Sequence, residues 1–187
     1  MLDKKGIDRL ITLFDAILAI VMTLLILPLA DRIEDFEGRS FFDFFKGDNG
    51  LLFLSALISI VVLIHLWLSH HMIFKDLKFM SRRVFLIHTI FMILILIIPM
   101  FTRLMSLSLD NKVNQITYLL MITVIYIHLP IMEGHIKHKV SMNTVLPVVG
   151  MLIIILLATL FGTLSGYSLI MVLVMSLITM SLWKVDK

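Results

Sequence analysis

Apolar runs of about twenty residues recur along this chain, and that recurrence leaves few folds open to it. Inside hydrocarbon every backbone N–H and C=O must be satisfied by the protein itself, so runs of this length read as spanning helices. Six segments have the required length: roughly 10–30, 51–74, 84–107, 113–132, 144–161 and 167–183. The last two need an argument, because the apolar stretch 145–183 is nearly unbroken. As one helix it would approach ~60 Å, about twice the hydrocarbon thickness, so it must fold back. Gly162-Thr163-Leu164-Ser165-Gly166 supplies the turn chemistry. The same residues match a GxxxG helix-association pattern, but their place at the hairpin favours the turn.

Composition agrees. Of 187 residues 60% are hydrophobic and 16% charged, and the mean hydropathy is +1.06. Soluble domains run about 45–50% apolar and about 25% charged. The expectation is an all-α integral membrane protein with six transmembrane helices, residues 1–187 forming a single domain. The absence of cysteine excludes disulfides and thiolate metal sites. The net charge of +3 is read by location, and nucleic acid is not implied. If the N-terminus is inside, eleven basic residues fall on the cytoplasmic side, among them Lys4, Lys75, Arg82 and Lys137, against five outside. The positive-inside rule then makes both termini cytoplasmic, in a multi-pass protein of the cell membrane. No signal peptide is expected, since the first apolar run is too long and no small-residue cleavage site follows.

The first segment reads RLITLFDAILAIVMTLLILPL from Arg9 to Leu29. A charge such as Asp15 in a spanning helix is costly unless partnered and marks function by default. Ile20, Thr23, Leu24 and Leu27 follow i, i+3, i+4, i+7 spacing, and Leu13 and Ala16 extend that stripe. Two readings stay open: a packed helix–helix seam with Thr23 bonded to its own backbone, or a pore lined by apolar rings and one hydroxyl ring. Hydrophobic constrictions can gate by dewetting. Asp15 lies off the stripe and reads as a partner for neighbouring helices. Pro28 removes a backbone hydrogen bond near the outer end.

Trp67, His70, His71 and Phe74 form a second stripe at the inner end of helix two. His70, with His65 and His88, reads as an interior hydrogen-bonded histidine or as a haem or metal ligand. No HExxH or carboxylate-rich set accompanies them, so neither cofactor nor metal is expected. His88 and Pro99 mark helix three, Pro99 as a kink; His128, His135 and His138 lie at or beyond the inner end of helix four. The outer connection 31–50 is acidic, and its 40–46 part, SFFDFFK, reads as a short interfacial helix. No TVGYG-like filter sequence occurs.

Together these residues resemble the transmembrane protein 175 family of endosomal and lysosomal potassium channels and their prokaryotic relatives. Arg9 and Asp15 stand at the ends of its RxxxFSD signature, and the stretch 19–28, AIVMTLLILP, is similar to its pore segment. Trp67, His70, His71 and Phe74, then His88, Pro99 and Thr102, resemble its second and third helices. The chain departs from the signature with Leu13-Phe14 in place of Phe-Ser, and with His88 where the family more usually has asparagine. The resemblance implies a homotetramer of six-helix subunits, with helix one around a central pore and no P-loop. Ile20, Leu24 and Leu27 would form the constriction and Thr23 the hydroxyls that favour potassium. Arg9, Asp15, Trp67, His70 and His88 would hold helix one in place. Flow would be passive and the chain not an enzyme. The rival readings are a proton-coupled secondary transporter using Asp15 and the intramembrane histidines, and a haem-binding redox protein using His70 and His88.

Overall fold

The computed structural model describes residues 2–32, 40–45, 47–106, 111–160 and 167–182. The expected turn at 162–166 and part of the outer acidic connection lie outside them.

Helix α1 spans Lys4–Ala30 and starts earlier than the apolar run, because Asp3 caps it by accepting a hydrogen bond from the Gly6 N–H at 2.9 Å. Leu2 and Met80 exchange backbone hydrogen bonds of 3.1 and 3.0 Å, which tie this end to the connection after the second span. α1 runs through Pro28 to Ala30. A single helical turn, α2 (Phe41–Phe44), occupies the place of the expected interfacial helix. The second span is α3 (Asp48–Phe74).

The third span is broken. α4 (Arg82–Leu96) ends at Ile97 and α5 (Ile98–Ser106) resumes beyond it. Pro99 explains the break: it has no N–H for the Ile95 carbonyl, and its ring crowds that oxygen. α6 (Lys112–Lys137) ends where His138 turns left-handed at φ 52°. α7 (Met142–Leu160) and α8 (Ser168–Ser181) follow. Five spans have the length and hydropathy to cross a bilayer, with α4 and α5 taken together, and the shorter apolar α8 accompanies them. The molecule is thus a multi-pass, all-α integral membrane protein.

α3 is the centre of the bundle, in contact with α1, α5, α6 and α8. Its Ala56, Ile58, Val62, Leu63 and Leu66 are buried. So are Ser55, Ser59, His65, Ser69 and His70, and this polar content explains why α3 lies inside the protein. Ser59 Oγ meets Thr102 Oγ1 at 2.8 Å and Tyr118 Oη at 2.9 Å. Thr102 already donates to the Ile98 carbonyl at 3.0 Å, so the hydrogens run from Tyr118 to Ser59 to Thr102. That chain joins three spans. α8 sits close to α7 at Gly150, where a Cβ would press on Met175 Sδ at 2.6 Å.

Candidate functional site

α1 has two apolar faces of opposite fate. Ile7, Phe14, Leu18, Val21, Leu25 and Leu29 are buried against the bundle. Leu13, Ile20, Leu24 and Leu27 are exposed, Ile20 at 55% of its surface. Thr23 lies among them and donates to the Ile20 carbonyl at 2.7 Å. Its hydrogen is therefore used within the helix, while its oxygen lone pairs remain on the exposed face. The predicted stripe does not pack into the subunit: it is presented outward.

The inward side of α1 is held by one hydrogen bond to α3 and by an aromatic cluster built on a histidine pair. Asp15 accepts a hydrogen bond from Trp67 Nε1 at 2.9 Å, joining α1 to α3. One turn further along α3, His70 Nε2 lies 2.8 Å from His88 Nε2 of α4, and both residues are fully buried. A contact of that length requires one ring to donate its Nε2–H and the other to accept at Nε2. Phe14, 0% exposed, lies over this pair, its ring 4.0 Å from His70 and 5.9 Å from His88, and stacks on Phe91 at 5.7 Å. Phe74 closes the other side, 4.4 Å from His70. The departure from the signature thus has a physical role: where a serine hydroxyl would stand, a phenyl ring packs on the imidazoles. An axial haem pair would hold its nitrogens about 4 Å apart, given metal–nitrogen bonds of about 2.0 Å. The direct His70–His88 hydrogen bond leaves no such gap.

The structure brings Asp15 to Trp67, and His70 to His88. Arg9 is exposed and, among the described residues, forms no ion pair or side-chain hydrogen bond. His135 and His138 are exposed and His128 is half-buried, bonded to the Val124 carbonyl.

Besides Ser59 and Tyr118, Tyr126 and Glu133 went unnoticed in the sequence. Tyr126 Oη lies 2.9 Å from His65 Nδ1 and 3.5 Å from Ser176 Oγ, linking α6 to α3 and α8. Glu133, 4% exposed, accepts from the Ser141 N–H and hydroxyl at 2.9 Å each and from Thr144 Oγ1 at 2.7 Å. Lys137 adds an ion pair at 3.4 Å and bonds the Met72 carbonyl at 3.1 Å. The available signal was a carboxylate ending an otherwise apolar segment, which the estimate of 113–132 stopped one residue short of.

Residues 9–99, close to half of the chain, match the family described as endosomal/lysosomal potassium channel TMEM175. Over these residues the chain carries the sequence pattern of the TMEM175 family. Its fold matches the crystal structure of a lysosomal potassium-selective channel TMEM175 homologue from Chamaesiphon minutus. The TM-score is 0.73 at 19% identity, with 94% of this chain and 99% of that one covered. None of the curated proteins matches the sequence. The family match spans α1, α3 and α4 and ends at Pro99, while the fold likeness extends over the later helices as well.

Proposed function

We propose that this chain conducts potassium passively through a pore on the axis of a homotetramer, with α1 lining it and both termini in the cytoplasm. The observation that carries this reading is the outward stripe of α1. A helix whose other face is anchored by a hydrogen bond and stacked rings presents Ile20, Leu24 and Leu27 with Thr23 among them. Four copies around an axis would convert each residue into a ring. Ile20, Leu24 and Leu27 form a constriction that excludes water when closed, and Thr23 oxygens replace part of a cation's hydration. The acidic outer connection concentrates cations at the mouth, an effect that added salt screens. Residues 1–187 act as one channel domain.

Potassium flux from liposomes holding purified protein, with a sodium control, tests this. Passive potassium flux exceeding sodium flux, with the difference reduced in Thr23→Ala, is the expected result. Flux that appears only when a proton gradient is imposed would replace the channel with a proton-coupled transporter.

A further inference from the structure

A cavity of about 280 Å³ opens between the first two turns of α1 and the last turn of α3. Ile7, Ile11, Phe74 and Leu77 line it with hydrocarbon, and Lys4 of α1 and Lys75 at the end of α3 also line it. Lys4, Ile11 and Leu18 are spaced by seven, as are Ile7 and Phe14, so the cavity lies on the inward side of α1, away from the Ile20 stripe.

We propose that this cavity is a binding site for the headgroup of an anionic phospholipid. The chemistry is amphipathic in the way a lipid requires. The apolar walls accept glycerol and the first acyl carbons, and the two exposed lysines meet the phosphodiester. The charge balance fits a monoanion: Asp8 also lines the cavity, so it offsets one of the two ammonium groups. Lys137, whose ammonium sits 3.1 Å from the carbonyl of the cavity residue Met72, adds no free charge because Glu133 pairs with it at 3.4 Å. His71 forms part of the wall beside Met72. Basic pockets between spanning helices on the side where lysine and arginine concentrate are the setting in which anionic headgroups bind. A small soluble anion would use the lysines and leave the apolar walls in water. A bound lipid would wedge the inner ends of α1 and α3, two turns from the Asp15–Trp67 bond.

Native mass spectrometry of the intact oligomer in a neutral detergent, titrated with phosphatidylglycerol, reads this site without any flux measurement. A chain that binds the lipid but passes no potassium would therefore count against the channel reading alone. One saturable phosphatidylglycerol per subunit is expected. Lys4→Gln and Lys75→Gln should each weaken it about fivefold, and the double variant about 25-fold. Lys139→Gln, an exposed lysine on the α6–α7 connection outside the cavity, should leave it unchanged. The substitutions are at the surface, and recovery of the parent oligomer mass verifies folding. The proposal is overturned if phosphatidylcholine binds as tightly, if Lys139→Gln weakens binding as much as Lys75→Gln, or if millimolar inorganic phosphate displaces the lipid.

Discussion

The two sides of α1 are built from the same kinds of residue and do different work. Leu18, Val21 and Leu25 are buried against α3 and the third span, whereas Ile20, Leu24 and Leu27, one or two positions away, face outward. In a soluble protein such outward residues would signal a partner surface. In a bilayer hydrophobicity does not separate the core from the periphery, because lipid tails are as apolar as leucine. Polar contacts make the distinction instead. Asp15 with Trp67, and Phe14 over the His70–His88 pair, fix which side turns inward and so leave the opposite side presented outward.

Substitutions on the two sides should therefore part company. The largest effect belongs to the inward side: Phe14→Ala removes a fully buried ring and should cost about 3–5 kcal/mol, read as lowered thermal stability of the purified protein. Ile20→Asn, on the outward side, should leave that stability near the parent value and raise resting cation flux several-fold, because a hydrated ring no longer dewets. A loss of stability without a rise in flux would mean that Ile20 packs in a dry interface between subunits. Trp67→Phe keeps the ring but removes the donor to Asp15; a loss of about 1 kcal/mol is expected, since the bond is partly exposed. The smallest effect is that of Thr23→Ala. The hydroxyl spends its hydrogen on the Ile20 carbonyl, so folding should be unchanged and the potassium-over-sodium flux ratio should fall by a few-fold at most. An unchanged ratio would remove Thr23 from the selectivity mechanism.

The spans were legible because length and hydropathy alone dictate them in hydrocarbon, and Asp15 was legible because a lone carboxylate there needs a partner. That its partner is the Trp67 indole was not. The two residues are 52 apart in sequence, and only the packing of α1 on α3 sets them together. His70 and His88 were both conspicuous, but spacing on separate helices says nothing about whether their nitrogens touch. Ser59, Tyr118 and Tyr126 escaped notice for a related reason: serine and tyrosine are common in apolar helices, and their meaning lies in contacts 43 to 61 residues apart. The break at Ile97 was readable from Pro99, since proline acts on its own helix. The start of α1 was misplaced because hydropathy marks where the apolar run begins and the Asp3 cap decides where the helix does.

The Glu133 corner differs from the tyrosine and hydroxyl contacts between spans in how soon its parts are made. Ser141 and Thr144 lie 8 and 11 residues after the carboxylate, and Lys137 lies four after it. A ribosome delivers those donors within seconds of the glutamate, at about 5–20 residues per second. This buried carboxylate can thus gain its donors while its hairpin is still being synthesised. The contacts of Ser59 and His65 on α3 must await partners 43 to 61 residues further on.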